Sequence, residues 1–307
     1  MQDESLKVEI IGYDSGWGCG NWGCEDGPLA VAADSLLQRL ARQNVRAKWR
    51  GPLGIKFLGD HRAVSTKEEA LPPLLTGVRR LAQTVKNAIE NGHIPVVIGG
   101  DHTGALGTWS GASTAINSPK NFGLIWIDAH LDAHTPETAH EGKWGGWWHG
   151  QPVSALMGHG LMELKSVSGN FPKLSPQHMS MIGIHSFEPG EQEFVKRHNI
   201  RVYYLEEVQK RGFKAVFEES LQRATSGTGG FGLTIDLDGF CAEDAPGVGT
   251  PEGDGLKAVE VLPIVRSLAY HKGFKALEIA EFNPHNDKEN RTALLIERLV
   301  ESVFTKD

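Results

Sequence analysis

Cysteine is scarce: three occur in 307 residues, too few and odd in number for a disulfide framework, which fits a reducing compartment. Long hydrophobic runs are missing too. Apolar stretches such as 94–98 fall far short of the roughly 18 residues that a membrane-spanning helix needs. Basic residues are in the minority, 31 Lys and Arg against 38 Asp and Glu, so the formal charge of −7 gives no footprint for nucleic acid. The start, MQDES, has neither the basic region nor the apolar core of a secretory signal, and a cytoplasmic location is expected. Neither a dinucleotide-type glycine fingerprint nor a P-loop points to an organic cofactor.

What is present describes a globular chain, with 40% hydrophobic residues and 37 glycines. Short β-branched or apolar runs alternate with segments of helical period, which predicts an α/β fold with a parallel sheet covered by helices. Strands are expected at 8–13, 94–99, 124–128, 179–184, 202–205, 232–238 and 277–282, with a weaker one near 47–49. Helices are expected at 28–42, 74–90, 192–198, 215–224, 259–269 and 291–303. The alternation runs from end to end without a Pro/Ser-rich linker, so one domain over 1–307 is expected. Three Gly-rich segments, the first two also bearing Trp, break the rhythm, at 14–27, 135–150 and 239–255, and loops of this kind form ligand sites in α/β proteins. Cys19 and Cys24 lie in the first and read as two reduced thiols, with a metal or redox role the minor alternative.

The chemistry concentrates in WIDAHLDAH at 126–134. If the strand continued through it, Asp128, His130 and Asp132 would share one face, with Ala129 and Leu131 on the other. Crowded carboxylates raise one another's pKa unless a multivalent cation compensates them. A second strand ends in Asp236 and Asp238, again two apart, and a third runs into GGDH at 99–102, where two glycines permit the tight turn that presents Asp101 and His102. One Asp-x-Asp pair alone is more often an ordinary strand-end cap. Three such ends offer six ligands, His102, Asp128, His130, Asp132, Asp236 and Asp238, whose four negative charges balance two divalent cations. A hard, thiolate-free set with two imidazoles favours Mn²⁺, while Ni²⁺, Co²⁺, Fe²⁺ and Zn²⁺ suit the same ligand types.

The GGDH motif, DAHLD at 128–132, HGQPVS at 149–154, and DLDG at 236–239 with PGVGTP at 246–251 resemble the arginase, or ureohydrolase, family over essentially the whole chain. The HGQPVS segment is closer to arginases than to agmatinases. The resemblance implies a three-layer αβα sandwich with an eight-stranded, mainly parallel sheet, and two Mn²⁺ ions bridged by a hydroxide that attacks the guanidinium carbon. It implies that His102, Asp128, Asp132 and Asp236 hold one ion, and Asp128, His130, Asp236 and Asp238 the other. Asp132 would also relay a proton, Glu281 would pair with the guanidinium group, and Thr250 would supply a supporting hydrogen bond. His149, an imidazole titrating near neutrality, is the candidate proton shuttle. Urea and an amine would be the products, ornithine if the small guanidino substrate is arginine. Trimers or hexamers are the family's implied assemblies.

The sequence departs from the arginase pattern at the substrate end. His134 stands where an asparagine for the substrate carboxylate is usual, and Ser186 and Glu188 replace an Asp-x-Asp before PGE. Glu188 keeps a carboxylate for an amino group. The segment 135–148 is longer than usual and carries Lys143, Trp144, Trp147 and Trp148, which either reshape the mouth or pack beneath it. Alternatives within this reading are an agmatinase or guanidino-acid hydrolase, and a non-catalytic guanidino binder.

Overall fold

Eight segments, all but the half-exposed edge strand β2 rich in apolar or β-branched residues, pair into one all-parallel sheet: β1 (Lys7–Gly12), β2 (Arg46–Pro52), β3 (Ile94–Ile98), β4 (Phe122–Ile127), β5 (Met179–Ile184), β6 (Arg201–Tyr204), β7 (Gly230–Asp236) and β8 (Phe274–Ala280). The computed structural model describes residues 5–116, 122–141, 146–169 and 171–306. Strand order is β2-β1-β3-β8-β7-β4-β5-β6. Parallel strands need crossovers, and the helices that make them cover both faces.

Side-chain alternation along the strands divides the interior into two cores. Val96, Ile98, Ile125 and Ile127 join one, with the helices Ala33–Arg42, Phe213–Thr225 and Arg291–Phe304. Val97, Leu124 and Trp126 join the other, with Lys67–Glu90 and Gly104–Ala115. The result is a three-layer αβα arrangement, as the motifs implied. Among the described residues no helix is long and apolar enough to cross a membrane.

Every expected strand forms, most of them beginning a residue or two earlier than the pattern suggests, and the weak candidate at 47–49 is the full strand β2. Two helix expectations need correction. The segment 28–42 is interrupted at Val31 and Ala32, giving Gly27–Ala30 and then Ala33–Arg42. The segment 259–269 contains only Ala258–Val261 followed by turns and a 3-10 turn, Leu268–Tyr270; Pro263 carries no backbone N–H to continue the ladder. The helix Gly104–Ala115 was not anticipated, because residues 104–113 are all buried and give no amphipathic stripe to read.

Candidate metal centre

Four neighbouring strands at the middle of the sheet, β3, β8, β7 and β4, deliver the site from their carboxyl ends. After β3, Gly99 and Gly100 adopt φ of 85° and 76°, and a Cβ on Gly100 would lie 2.3 Å from the Tyr13 ring. Only glycine permits that turn, which swings Asp101 and His102 over the sheet edge. Asp101 takes the N–H groups of Gly18 at 2.9 Å and Thr103 at 3.0 Å, so it anchors the 14–27 segment across the site and is no candidate ligand. Burial, then the Glu281 charge, pushes its carboxyl up to about 6.

The expectation of a continuous strand through 128–132 is not met, although the convergence it implied is. Strand β4 stops at Ile127, and Asp128 begins a turn in which its Oδ1 accepts the His130 N–H at 2.6 Å. Asp132 sits at φ 47°, a left-handed conformation that turns its carboxylate back toward Asp128. Strand β7 does the same: Asp236 ends it, and its Oδ1 accepts the Asp238 N–H at 2.9 Å within a 3-10 turn.

These turns build two ligand groups that share Asp128: His102, Asp128 and Asp132, and Asp128, His130 and Asp238. His102 Nδ1 lies 3.2, 3.0 and 2.9 Å from carboxylate oxygens of Asp128, Asp132 and Asp236. His130 Nδ1 lies 3.2 Å from Asp238 and 3.6 Å from Asp128. All six expected ligands therefore meet. Among the described residues, His102 Nδ1, Asp132 Oδ2 and Asp238 Oδ1 are buried without a properly oriented hydrogen bond. Buried polar atoms left orphaned while aimed at one another are costly in a native protein, and a cation between them removes the cost. The donor set fits a metal centre.

The electrostatics agree. Burial opposes the charge on His102, but Asp236, Asp128 and Asp132 hold its pKa well above the imidazole range. His130 is raised likewise, against burial, by Asp238, Asp128 and Glu252. Burial and the Asp128 charge push Asp132 up to about 6, and burial with Asp238 and Asp128 pushes Asp236 well above the carboxylate range. Asp128, despite burial, is held low by the two imidazoles. Without a cation, protons must do a metal's work here.

Supporting residues fix the ligands. The Trp126 indole donates to Asp128 Oδ2 at 2.7 Å and stacks on His102, with ring centroids 4.4 Å apart. Thr250 donates to Asp238 Oδ2 at 2.7 Å, the supporting bond expected of it. Glu252, which the motifs did not single out, lies 3.1 Å from His130 Nε2; its place directly after PGVGTP was the available signal.

Glu281 follows β8 directly, at φ 63°, and lines the same cavity. Its Oε1 accepts the His102 backbone N–H at 2.8 Å and faces His149 Nδ1 at 3.4 Å. Burial works against its charge, but His149 and the His102 N–H hold its pKa low, while burial opposes and Glu281 raises that of His149.

The far wall comes from β5 and the segment after Asp132. His134 Nε2 lies 3.3 Å from Glu188 and 3.6 Å from Glu191, and its Nδ1 is 3.2 Å from Thr138. Glu191, also not singled out from sequence, accepts the N–H groups of Ala133 and Glu188 at 3.0 and 3.1 Å; the E-x-x-E spacing of a helix start was its signal. Ser186 lines the cavity beside them. Trp147 faces the cavity, whereas Trp148 is buried and donates to the Lys67 carbonyl at 2.6 Å; Lys143 and Trp144 lie outside the described residues.

Comparison with known proteins agrees with this geometry. The Arginase family model matches residues 6–305. The arginase of Bacillus caldovelox is 33% identical over 298 residues, 97% of each chain, and that of Bacillus subtilis (strain 168) is 33% identical over 302 residues, 97% of this chain and 98% of the other. The crystal structure of arginase from Bacillus cereus superposes with a TM-score of 0.88 at 31% identity, covering 99% of both chains. With its all-parallel sheet, the Asp and His side chains that converge at its strand ends and a match along nearly its whole length, the chain belongs to the arginase family and is a hydrolase of the ureohydrolase type.

Proposed function

We propose that the protein hydrolyses the guanidinium group of L-arginine or a close guanidino compound to urea and an amine, using two Mn²⁺ ions. One observation carries this reading: two ligand groups sharing Asp128 open onto the same cavity as the buried carboxylate of Glu281. His102, Asp128, Asp132 and Asp236 would hold one ion, and Asp128, His130, Asp236 and Asp238 the other. When bound, the pair would lower the pKa of a water and make it a nucleophile at neutral pH.

The chain's own residues do the rest. Glu281 pairs with the planar guanidinium donors and sets the carbon's position relative to the ligand groups. Asp132, which lines the cavity beside the ligand groups, accepts a proton and returns it to the departing amine. His149, with its side chain 16% exposed and its Nδ1 toward Glu281, exchanges protons with solvent. Glu188 and His134 contact the substrate's far end, and Thr250 keeps Asp238 oriented.

A second reading concerns the substrate alone. Among the described residues lining the cavity there is no lysine or arginine, while Glu188 and Glu191 flank His134 at its far end. That wall suits an ammonium group better than a carboxylate, which favours a guanidinoalkylamine such as agmatine. Urea release by Mn²⁺-loaded protein, compared across arginine, agmatine, guanidinobutyrate, hydroxyarginine and guanidine, tests both. Arginine as the best substrate supports the first reading, and agmatine the second. Silence with every substrate, from protein that has bound its metal, would refute the function.

A further inference from the structure

Glu281 has two carboxylate oxygens with different surroundings. Oε1 is held by the His102 N–H and faces His149, whereas Oε2 accepts the thiol hydrogen of Cys24 at 3.4 Å. Cys24 is fully buried and Glu281 is 2% exposed. Burial, then the Glu281 charge, pushes the thiol's pKa well up, so the sulfur keeps its proton and acts as a neutral donor. The sulfur is itself placed by the site's backbone, because the Cys24 carbonyl accepts the N–H of Gly100 at 3.2 Å in the turn that carries His102. Gly249 packs against this pair without a side chain: a Cβ there would come within 2.9 Å of Oε2 and 3.4 Å of Cys24 Sγ.

The left-handed φ of Glu281 and the bond from its N–H to the Gly100 carbonyl, 2.9 Å, fix the direction in which its side chain leaves β8. The His102 N–H then holds Oε1 at 2.8 Å, and the partner of Oε2 sets the tilt of the carboxylate plane about that contact. We propose that Cys24 is a positioning residue for the guanidino hydrolysis: its S–H holds Oε2 of Glu281, and so turns the carboxylate plane toward the substrate guanidinium. A thiol is a weak donor, so it orients Oε2 while leaving that oxygen a lone pair for a substrate N–H. The inference rests on the role given to Glu281 above. It also gives Cys24, read from sequence as a plain reduced thiol, a task that is neither metal binding nor redox.

The test compares Cys24→Ala, Cys24→Ser and Glu281→Gln in the full chain, by urea kinetics and by the infrared S–H stretching band assigned by subtracting the Cys24→Ser spectrum. Removing the donor leaves the Glu281 charge in place, so Cys24→Ala is expected to lower kcat about tenfold with KM within about threefold. Cys24→Ser, which restores a donor, is expected to return kcat to within about threefold of the parent although both variants change the packing. The Cys24 band is expected to move to higher frequency in Glu281→Gln, whose side-chain amide is a weaker acceptor. Equal kinetics for the Ala and Ser variants, or a band unmoved by Glu281→Gln, would overturn the proposal. If the parent turns over no guanidino compound, the proposed function fails, and the band alone decides the Cys24 contact.

Discussion

Asp128 Oδ1 accepts the backbone N–H of His130 at 2.6 Å, while Asp128 Oδ2 lies 3.2 Å from His102 Nδ1 and takes the Trp126 indole N–H. One carboxylate thereby faces both ligand groups, and a short turn aims the second imidazole at it. Asp236 and Asp238 repeat the turn on the neighbouring strand. Two adjacent strand ends with the same local bond give the site its paired form.

Asp128→Asn tests that sharing. The amide keeps the turn's acceptor oxygen but loses the charge common to both groups, so metal affinity falls at both and urea release drops at least about a thousandfold. Metal titration with far-UV circular dichroism checks this. A variant that binds metal and turns over like the parent contradicts it.

Glu252→Gln acts on one group only. Glu252 meets His130 Nε2 at 3.1 Å, and partners of ligating imidazoles typically govern about 10- to 100-fold in metal affinity. The expected outcome is one weakened metal equivalent beside one unchanged. Equal weakening of both would show that the two groups are not separable.

The metal-free protein has a definite pH dependence. Asp132, raised to about 6 from 3.8, binds its proton more tightly folded than unfolded, so it costs stability as pH rises through that window. His102 and His130, raised above 6.5, contribute stability at low pH that is lost as pH climbs through their folded values. Both effects have the same sign, and a divalent cation removes them. The increase in Tm on adding Mn²⁺ to chelator-treated protein should therefore be larger at pH 8 than at pH 5.5. An equal or smaller increase at pH 8 would count against the charge crowding described here.

Much of this was legible from residue pattern. The strands follow from short apolar or β-branched runs, the weak β2 excepted, and the six ligands from the three of those runs, β3, β4 and β7, that lead into Asp and His side chains. The mechanism of convergence was not, because alternation extrapolates a strand past Ile127, while the bond from the His130 N–H to Asp128 and the left-handed Asp132 are turn features without a period. Cys24 and Glu281 are 257 positions apart, and only the neighbouring placement of the segments after β1 and β8 brings them together. Glu191 was hidden differently: it reads as an ordinary helix-start glutamate until its helix is set against His134.

Glu188→Gln probes the far wall. It removes one of two carboxylates beside His134 and leaves Glu281 and the ligands untouched. KM for substrates with an ammonium tail should rise about tenfold, with guanidine unaffected, the loss expected for one charged hydrogen bond. Steady-state kinetics on arginine, agmatine and guanidine checks it. A parallel change for guanidine would place Glu188 in the fold's support instead of in recognition.

The most direct measurement is the rate of urea release against the number of Mn²⁺ ions bound per chain, on the best substrate of the guanidino panel, with Glu281→Gln in parallel. The rate is expected to climb until both ligand groups are filled and to collapse in Glu281→Gln although metal uptake is unchanged. Full activity with one ion bound, or an active Glu281→Gln variant, would contradict it.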